Sequence, residues 1–187
     1  MPRLLDQILV VDVESTCWDG QPPPDQVSEI IEIGLCAMDV ATLTRVERRS
    51  ILVRPARSTV SPFCTQLTTL TQAEVDAGVP LAEACRLLSQ DYRSGQRLWA
   101  SYGDYDRQQF ERNCADYVIP YPFGPGHLNV KTLAAISLGW TREVGLSEVL
   151  RRLALPLEGT HHRGGDDAWN IAGLLCALLG RLRGSRQ

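Results

Sequence analysis

The hydrophobic positions change period twice along the chain. Residues 7–13, QILVVDV, are a short β-branched apolar run interrupted only by Asp12, the pattern of a strand covered on both faces. A polar, proline-laden stretch follows, CWDGQPPPDQ, whose three consecutive prolines exclude a strand or helix interior. EIIEIGLCAMDV and RVERRSILVRP then predict two more strands joined by the turn ATLT, and the three strands are expected to pair as a meander.

From Thr71 the period becomes helical. TQAEVDAG and LAEACRLLSQDYRSG predict two helices, with Gly95 as the stop of the second. RLWAS predicts a fourth strand and DRQQFERNCADYV a helix, YPFGPG a loop, and HLNV a short fifth strand. KTLAAISLG, LSEVLRRLAL and DDAWNIAGLLCALLGRLR complete the chain as helices, and the terminal RGSRQ is expected to fray. Strands first and helices mainly later imply an α/β fold: one mixed five-stranded sheet with helices on both faces. A chain of 187 residues suits a single domain, 1–187, with a core over about 7–182.

Composition narrows the classes without choosing one. With 44% hydrophobic and 22% charged residues the chain has the make-up of a soluble globular protein. No apolar run is long enough to span a bilayer, and the opening MPRLLDQILVVDVEST lacks the apolar core and cleavage site of a secretory leader. A cytoplasmic location and no membrane partner are therefore expected. The six cysteines never form a CxxC pair, which favours thiols in the core over a disulfide frame or a zinc site. A net charge of −3 does not announce a nucleic-acid binder, but a cluster of metal-binding carboxylates would itself make the bare sequence acidic. The basic residues are nearly all arginine, with Lys131 the sole lysine. Arginine suits bidentate phosphate contacts, although genomic base composition produces the same bias.

Three acidic elements stand out. In VVDVEST, Asp12 and Glu14 are two apart, so a strand presents both carboxylates on one face and Val11 and Val13 on the other. They fall at the carboxyl end of the most apolar strand, where open α/β sheets place ligands. Two such neighbours repel each other unless a cation lies between them, and hard oxygen ligands suit Mg²⁺ or Mn²⁺. In SYGDYDRQQF, Asp104 and Asp106 stand where the fourth strand hands over to a helix, and either could serve as a cap. In HHRGGDDAWN, Asp166 and Asp167 open the last helix, with Gly164 and Gly165 freeing the backbone before it. A histidine precedes them across that glycine pair, close enough for a loop imidazole and a helix carboxylate to converge.

The order D-x-E, then (F/Y)-D, then H-x4-D resembles the DEDDh group of 3′→5′ exonucleases in the proofreading-exonuclease (DnaQ-like) superfamily. The likeness is closer to the Eri-type RNA exonucleases, whose DxExTC is matched by Asp12, Glu14, Thr16 and Cys17. FCTQLTTLT is similar to that branch's FCxxLTGIT, and HRGGDDAWNIA to its HxGxDDxxNIA, so the resemblance spans residues 8 to about 175. It implies a ribonuclease H-like fold and a metal-dependent exonuclease removing nucleoside 5′-monophosphates from the 3′ end of single-stranded nucleic acid, RNA favoured. It further implies that Asp12, Glu14, Asp106 and Asp167 hold two Mg²⁺, with Mn²⁺ able to substitute, and that neutral His162 is the general base.

In that pattern the five-position spacing pairs His162 with Asp167, and His161 has no role. Tyr105-Asp106 with Phe110 fits the second motif, and Asp104 remains a rival for the third carboxylate. Ser15 and Thr16 are expected to meet the terminal nucleotide, and Leu67 and Leu70 to pack against its bases; core packing is the plain alternative for both leucines. The chain departs from the family at Thr69, where Gly is usual, and at Ser15, where Ala or Thr is usual. Three rivals stand beside this reading. One is a 3′→5′ exonuclease directed at DNA. A second is an internal cutter of RNA–DNA hybrids, against which His162 argues. The third is a regulatory binding protein that keeps the fold without turnover.

Overall fold

The computed structural model describes residues 4–184. Its centre is a sheet of β1 (Leu4–Ser15), β2 (Ile30–Asp39), β3 (Thr44–Arg54), β4 (Val79–Pro80), β5 (Arg97–Ser101) and β6 (His127–Asn129), in the order β4-β3-β2-β1-β5-β6. The first three strands form the expected antiparallel meander, while β1 pairs with β5, and β5 with β6, in parallel. Among the described residues the sheet thus has six strands rather than five. The extra one, β4, is a two-residue edge pairing in parallel with Val53 and Arg54. Two residues are too few to show a period, and Pro80 supplies no donor, which places it naturally on an edge.

Among the described residues seven helices complete the fold: α1 (Pro62–Thr68), α2 (Gln72–Asp76), α3 (Leu81–Asp91), α4 (Tyr105–Asp116), α5 (Val130–Ser137), α6 (Leu146–Arg152) and α7 (Gly164–Gly184). They cover both faces of the sheet. Leu9, Val11 and Val13 of β1 pack with Leu81, Ala84 and Leu88 of α3 and Phe110 of α4. Ile8 and Val10 face the other way, against Val130 of α5, Val149 of α6, and Ala168, Ile171 and Leu175 of α7. The alternation of β1 therefore divides the molecule into two cores.

Two helix ends differ from expectation. Helix α1 is absent from the periodic reading because seven residues hold barely two turns. Its start is nonetheless written in Ser61-Pro62: the serine side chain accepts from the Cys64 N–H, and proline fills the first turn, where no donor is needed. Helix α3 stops before Gly95. Arg93, not the glycine, takes the left-handed conformation at φ 50°. At the other terminus Arg183 and Gly184 of the expected frayed tail belong to α7, and residues 185–187 lie outside the described residues.

The start of α7 presses directly on the sheet. A Cβ on Gly34 of β2 would come within 1.8 Å of the Gly164 carbonyl, and one on Gly164 would meet the Gly34 nitrogen at 2.9 Å and the Asp12 carbonyl oxygen at 3.2 Å. Neither Gly164 nor Gly165 has a positive φ. Gly164 is therefore needed for close approach, not for the backbone freedom expected from sequence, whereas a Cβ on Gly165 would make only ordinary contacts, the nearest at 3.4 Å to Ser50 Cβ.

Candidate active site

That close approach builds the site. Asp12 and Glu14 continue the Ile8–Val10 face of β1, the face that α7 covers, so Asp167 in the first turn of α7 comes down onto them. Ligand oxygens of Asp12, Glu14 and Asp167 lie within 4.8 Å of one another. Asp106, in the first turn of α4, is 4% exposed and accepts the Val13 backbone N–H at 2.9 Å, which ties α4 to β1 at the same point. All four carboxylates line one cleft of about 360 Å³, together with Ser15, Leu67, His161 and His162.

The electrostatics of this cluster are unfavourable as it stands. Burial pushes the Glu14 carboxyl up to about 8, and the charges of Asp167, Glu32 and Asp106 push the same way while Arg163 opposes them. Burial, then Asp106, Glu14, Asp167 and Glu32, raise Asp12 well above the usual carboxylate range. Asp106 is lifted to about 6, chiefly by burial, with the Val13 N–H holding it down. Enclosed carboxylates at this spacing either keep protons or hold cations. The donor set is all oxygen and converges from two strand positions and one helix, which fits a hard divalent ion.

Asp104 does not join them. It is exposed and bonded to Arg107 at 3.1 Å and to the Asn129 side-chain amide at 3.2 Å. It occupies the N-cap position of α4 without a side-chain cap bond. Asp166 also points away, receiving Arg48 of β3 and the Thr160 N–H, both at 2.8 Å.

The two histidines divide their contacts with Asp167. The His161 ring places Nδ1 3.0 and 3.1 Å from the two carboxylate oxygens. His162 donates its backbone N–H to Asp167 Oδ2 at 2.8 Å from a left-handed conformation, φ 65°. Its ring stacks on that of His161 with centroids 4.0 Å apart. Burial, then the neighbouring His161, lower the His162 pKa, and Asp167 partly offsets them.

Of the expected substrate contacts, Ser15 and Leu67 line the cleft and Thr16 and Leu70 do not. The Ser15 hydroxyl is buried without a hydrogen-bond partner, and Leu67 is 37% exposed. Thr16 is turned inward: its hydroxyl bonds to the Val27 carbonyl and the Glu29 N–H, and its own N–H to the Glu29 carbonyl. Leu70 is fully buried with Ile31, Cys64 and Val75, so it packs in the core rather than against a base. Thr69, where the resemblance leads to an expectation of Gly, is the left-handed C-cap of α1 at φ 63°. Glycine suits that conformation, and a β-branched residue there is strained. Its hydroxyl accepts a 3.4 Å contact from Arg163.

Glu32 belongs to none of the three acidic motifs, yet it packs beside the site. It is 1% exposed, lies opposite Glu14 in the β1–β2 register, and is held by Ser50, Arg163 and the Gly164 N–H. A charge inside the apolar run EIIEIG was the available signal. Tyr102 of the cleft lining carried no such mark, and Lys131, though the sole lysine, no motif.

The exonuclease family model (RNase_T) matches residues 9–175. The chain is 27% identical to 3′-5′ exonuclease Snipper of Drosophila melanogaster, over 92% of this chain and 69% of that protein. It is 29% identical to human 3′-5′ exoribonuclease 1 over 93% of this chain, but spans only 52% of that relative's length. Its fold is similar to the nuclease domain of 3′hExo, a DEDDh family member bound to rAMP, with a TM-score of 0.82 and 25% identity over 97% of this chain and 95% of that one. The chain belongs to the exonuclease family and is homologous to the DEDDh 3′-5′ exonucleases of the Eri type.

Proposed function

We propose that the chain is a divalent-metal-dependent 3′→5′ exonuclease that releases nucleoside 5′-monophosphates from the 3′ end of single-stranded nucleic acid, with RNA preferred. The observation that carries this reading is the convergence of Asp12, Glu14, Asp106 and Asp167, from three distant segments, on one cleft that also holds two histidines. Relatives named as exoribonucleases, and a similar nuclease domain bound to rAMP, support the preference for RNA.

In this reading Asp12, Glu14 and Asp167, with Asp106 beside them, hold two divalent cations, Mg²⁺ or Mn²⁺. When bound, such ions neutralise the charge of a phosphate and acidify water next to it. The remaining work falls to the chain's own side chains. His162 in its neutral form accepts the proton of the attacking water, a role favoured by its lowered pKa. His161 keeps Asp167 oriented through its ring. The unpaired Ser15 hydroxyl offers a partner to the terminal sugar, and Leu67 an apolar surface to the terminal base.

The test uses matched RNA and DNA oligomers labelled at the 5′ end. Stepwise shortening by one nucleotide in Mg²⁺, with mononucleotide release, silence in EDTA and faster loss of RNA, is expected. Internal fragments, or tight binding without any turnover, would overturn the proposal.

A further inference from the structure

The cleft holds four carboxylates, and among the described residues that line it Lys131 is the only lysine or arginine. A strand of nucleic acid carries one charge per phosphate, and most contacts that position such a strand go to those phosphates. Cations held by the carboxylates would answer the charge of the scissile phosphate but not that of its neighbours.

Lys131 is placed for a neighbour. It lies in the first turn of α5, just after β6, and lines the cleft with Tyr102, Tyr105 and Gly145. Its stem lies along the turn leading into α4: a Cβ on Gly103, which sits at φ 107°, would be 3.8 Å from the Lys131 Cδ. Its ammonium is paired with none of the four cleft carboxylates. It lies 3.9 Å from Glu143, a carboxylate that is 42% exposed and is also held by the Thr132 hydroxyl. So long and exposed an ion pair contributes little and is easily exchanged for a phosphate.

Resting on the exonuclease reading, we propose that Lys131 is the cationic contact for the phosphate next to the scissile one. The strand body would then run along the Tyr102–Tyr105 wall, with the 3′-terminal nucleotide near Ser15 and Leu67. Glu143 holds the ammonium when no strand is present and gives it up on binding.

The test compares two substrates. An RNA oligomer has the neighbouring phosphate; the p-nitrophenyl ester of thymidine 5′-monophosphate has only one phosphate. Lys131→Gln should raise KM for the oligomer about tenfold, with kcat changed less than about threefold and ester hydrolysis changed less than about threefold. The salt dependence of oligomer binding, read by fluorescence anisotropy with Ca²⁺ in place of Mg²⁺, should lose about 0.7 from its log–log slope, one phosphate contact on a single strand. Lys131→Arg should restore the slope, and Glu143→Gln should lower KM about twofold to threefold. An unchanged KM and slope in Lys131→Gln would overturn the assignment. An equal loss on both substrates would also overturn it, by placing the ammonium at the scissile phosphate. If the wild-type chain cleaves neither substrate, the exonuclease reading fails, while the anisotropy slope still decides the contact of Lys131.

Discussion

His162 donates its backbone N–H to the Asp167 carboxylate at 2.8 Å, while it is the ring of its neighbour, His161, that lies against that same carboxylate. The two histidines are thus tied to one metal-ligand candidate in different ways. The left-handed backbone of His162, at φ 65°, presents that N–H to Asp167, while its ring nitrogen lies within 4.8 Å of the carboxylate without a hydrogen bond to it. Strain of this kind is kept where the surroundings demand it.

This division separates the two histidines experimentally. His162→Ala is expected to lower kcat by about 10²–10⁴-fold, the usual worth of a general base, while Mg²⁺ affinity stays within about threefold. His161→Ala should weaken Mg²⁺ binding through a less well oriented Asp167 and cost less in kcat. Metal titration by calorimetry beside steady-state kinetics reads both effects. A larger kcat loss in the His161 variant would transfer the base role to that ring.

The two aspartates of GDYD are expected to differ as sharply. Asp106 is buried against the Val13 N–H and lines the cleft, whereas Asp104 is exposed and bonded to Arg107 and Asn129. Asp106→Asn should therefore reduce kcat/KM by more than about 100-fold and Asp104→Asn by less than about fivefold. Rates on one RNA oligomer decide it, and the opposite order would exchange the two residues.

Metal and pH should act on stability together. Folding lifts Glu14 from its ordinary 4.5 to about 8, mainly through burial, and lifts Asp12 in the same direction. Between those pH values the folded metal-free chain holds protons that the unfolded chain has released. The stability they contribute is complete below the ordinary carboxylate pKa and is lost as pH rises through the folded value. The Tm in EDTA should fall from about pH 5 to about pH 8.5, and the rise in Tm on adding Mg²⁺ should grow over the same range. A Mg²⁺ effect that is independent of pH would contradict carboxylate binding at this cluster.

Gly34 offers a test remote from the chemistry. An added methyl would overlap the Gly164 carbonyl at 1.8 Å, so Gly34→Ala must push the start of α7, and Asp167 with it, away from β1. A loss of about 3 kcal/mol or more is expected, with weakened Mg²⁺ binding in whatever folds. Gly184→Ala, at a helical position with open space around it, is the control and should be neutral or slightly stabilising. Urea unfolding of both variants checks the pair.

Much of this site was legible because its chemistry is local. The two-residue spacing of Asp12 and Glu14 puts both on one strand face whatever the rest of the chain does. The H-x4-D spacing likewise brings a loop and a helix start together. Leu70 takes the core-packing alternative and Thr16 turns inward because exposure depends on neighbours far along the chain: Ile31 and Val75 bury the first, and Val27 and Glu29 consume the polar groups of the second. The role of Gly164 is hidden for the same reason, since only the position of Gly34 shows that space, not backbone freedom, is scarce there.

Alone, the amino-acid sequence determined the meander, the layered α/β class and the order of the acidic motifs, because periodicity and spacing act over a few residues; the family entered through the resemblance those motifs carry and is shown by the match over residues 9–175. Tertiary structure decided which aspartate of GDYD faces the cleft, which histidine ring touches Asp167, and that Lys131 stands on the wall. Those outcomes depend on how α4, α5 and α7 dock on the sheet. Docking is set by packing between segments up to 130 residues apart, such as Gly34 against Gly164, which no local pattern contains.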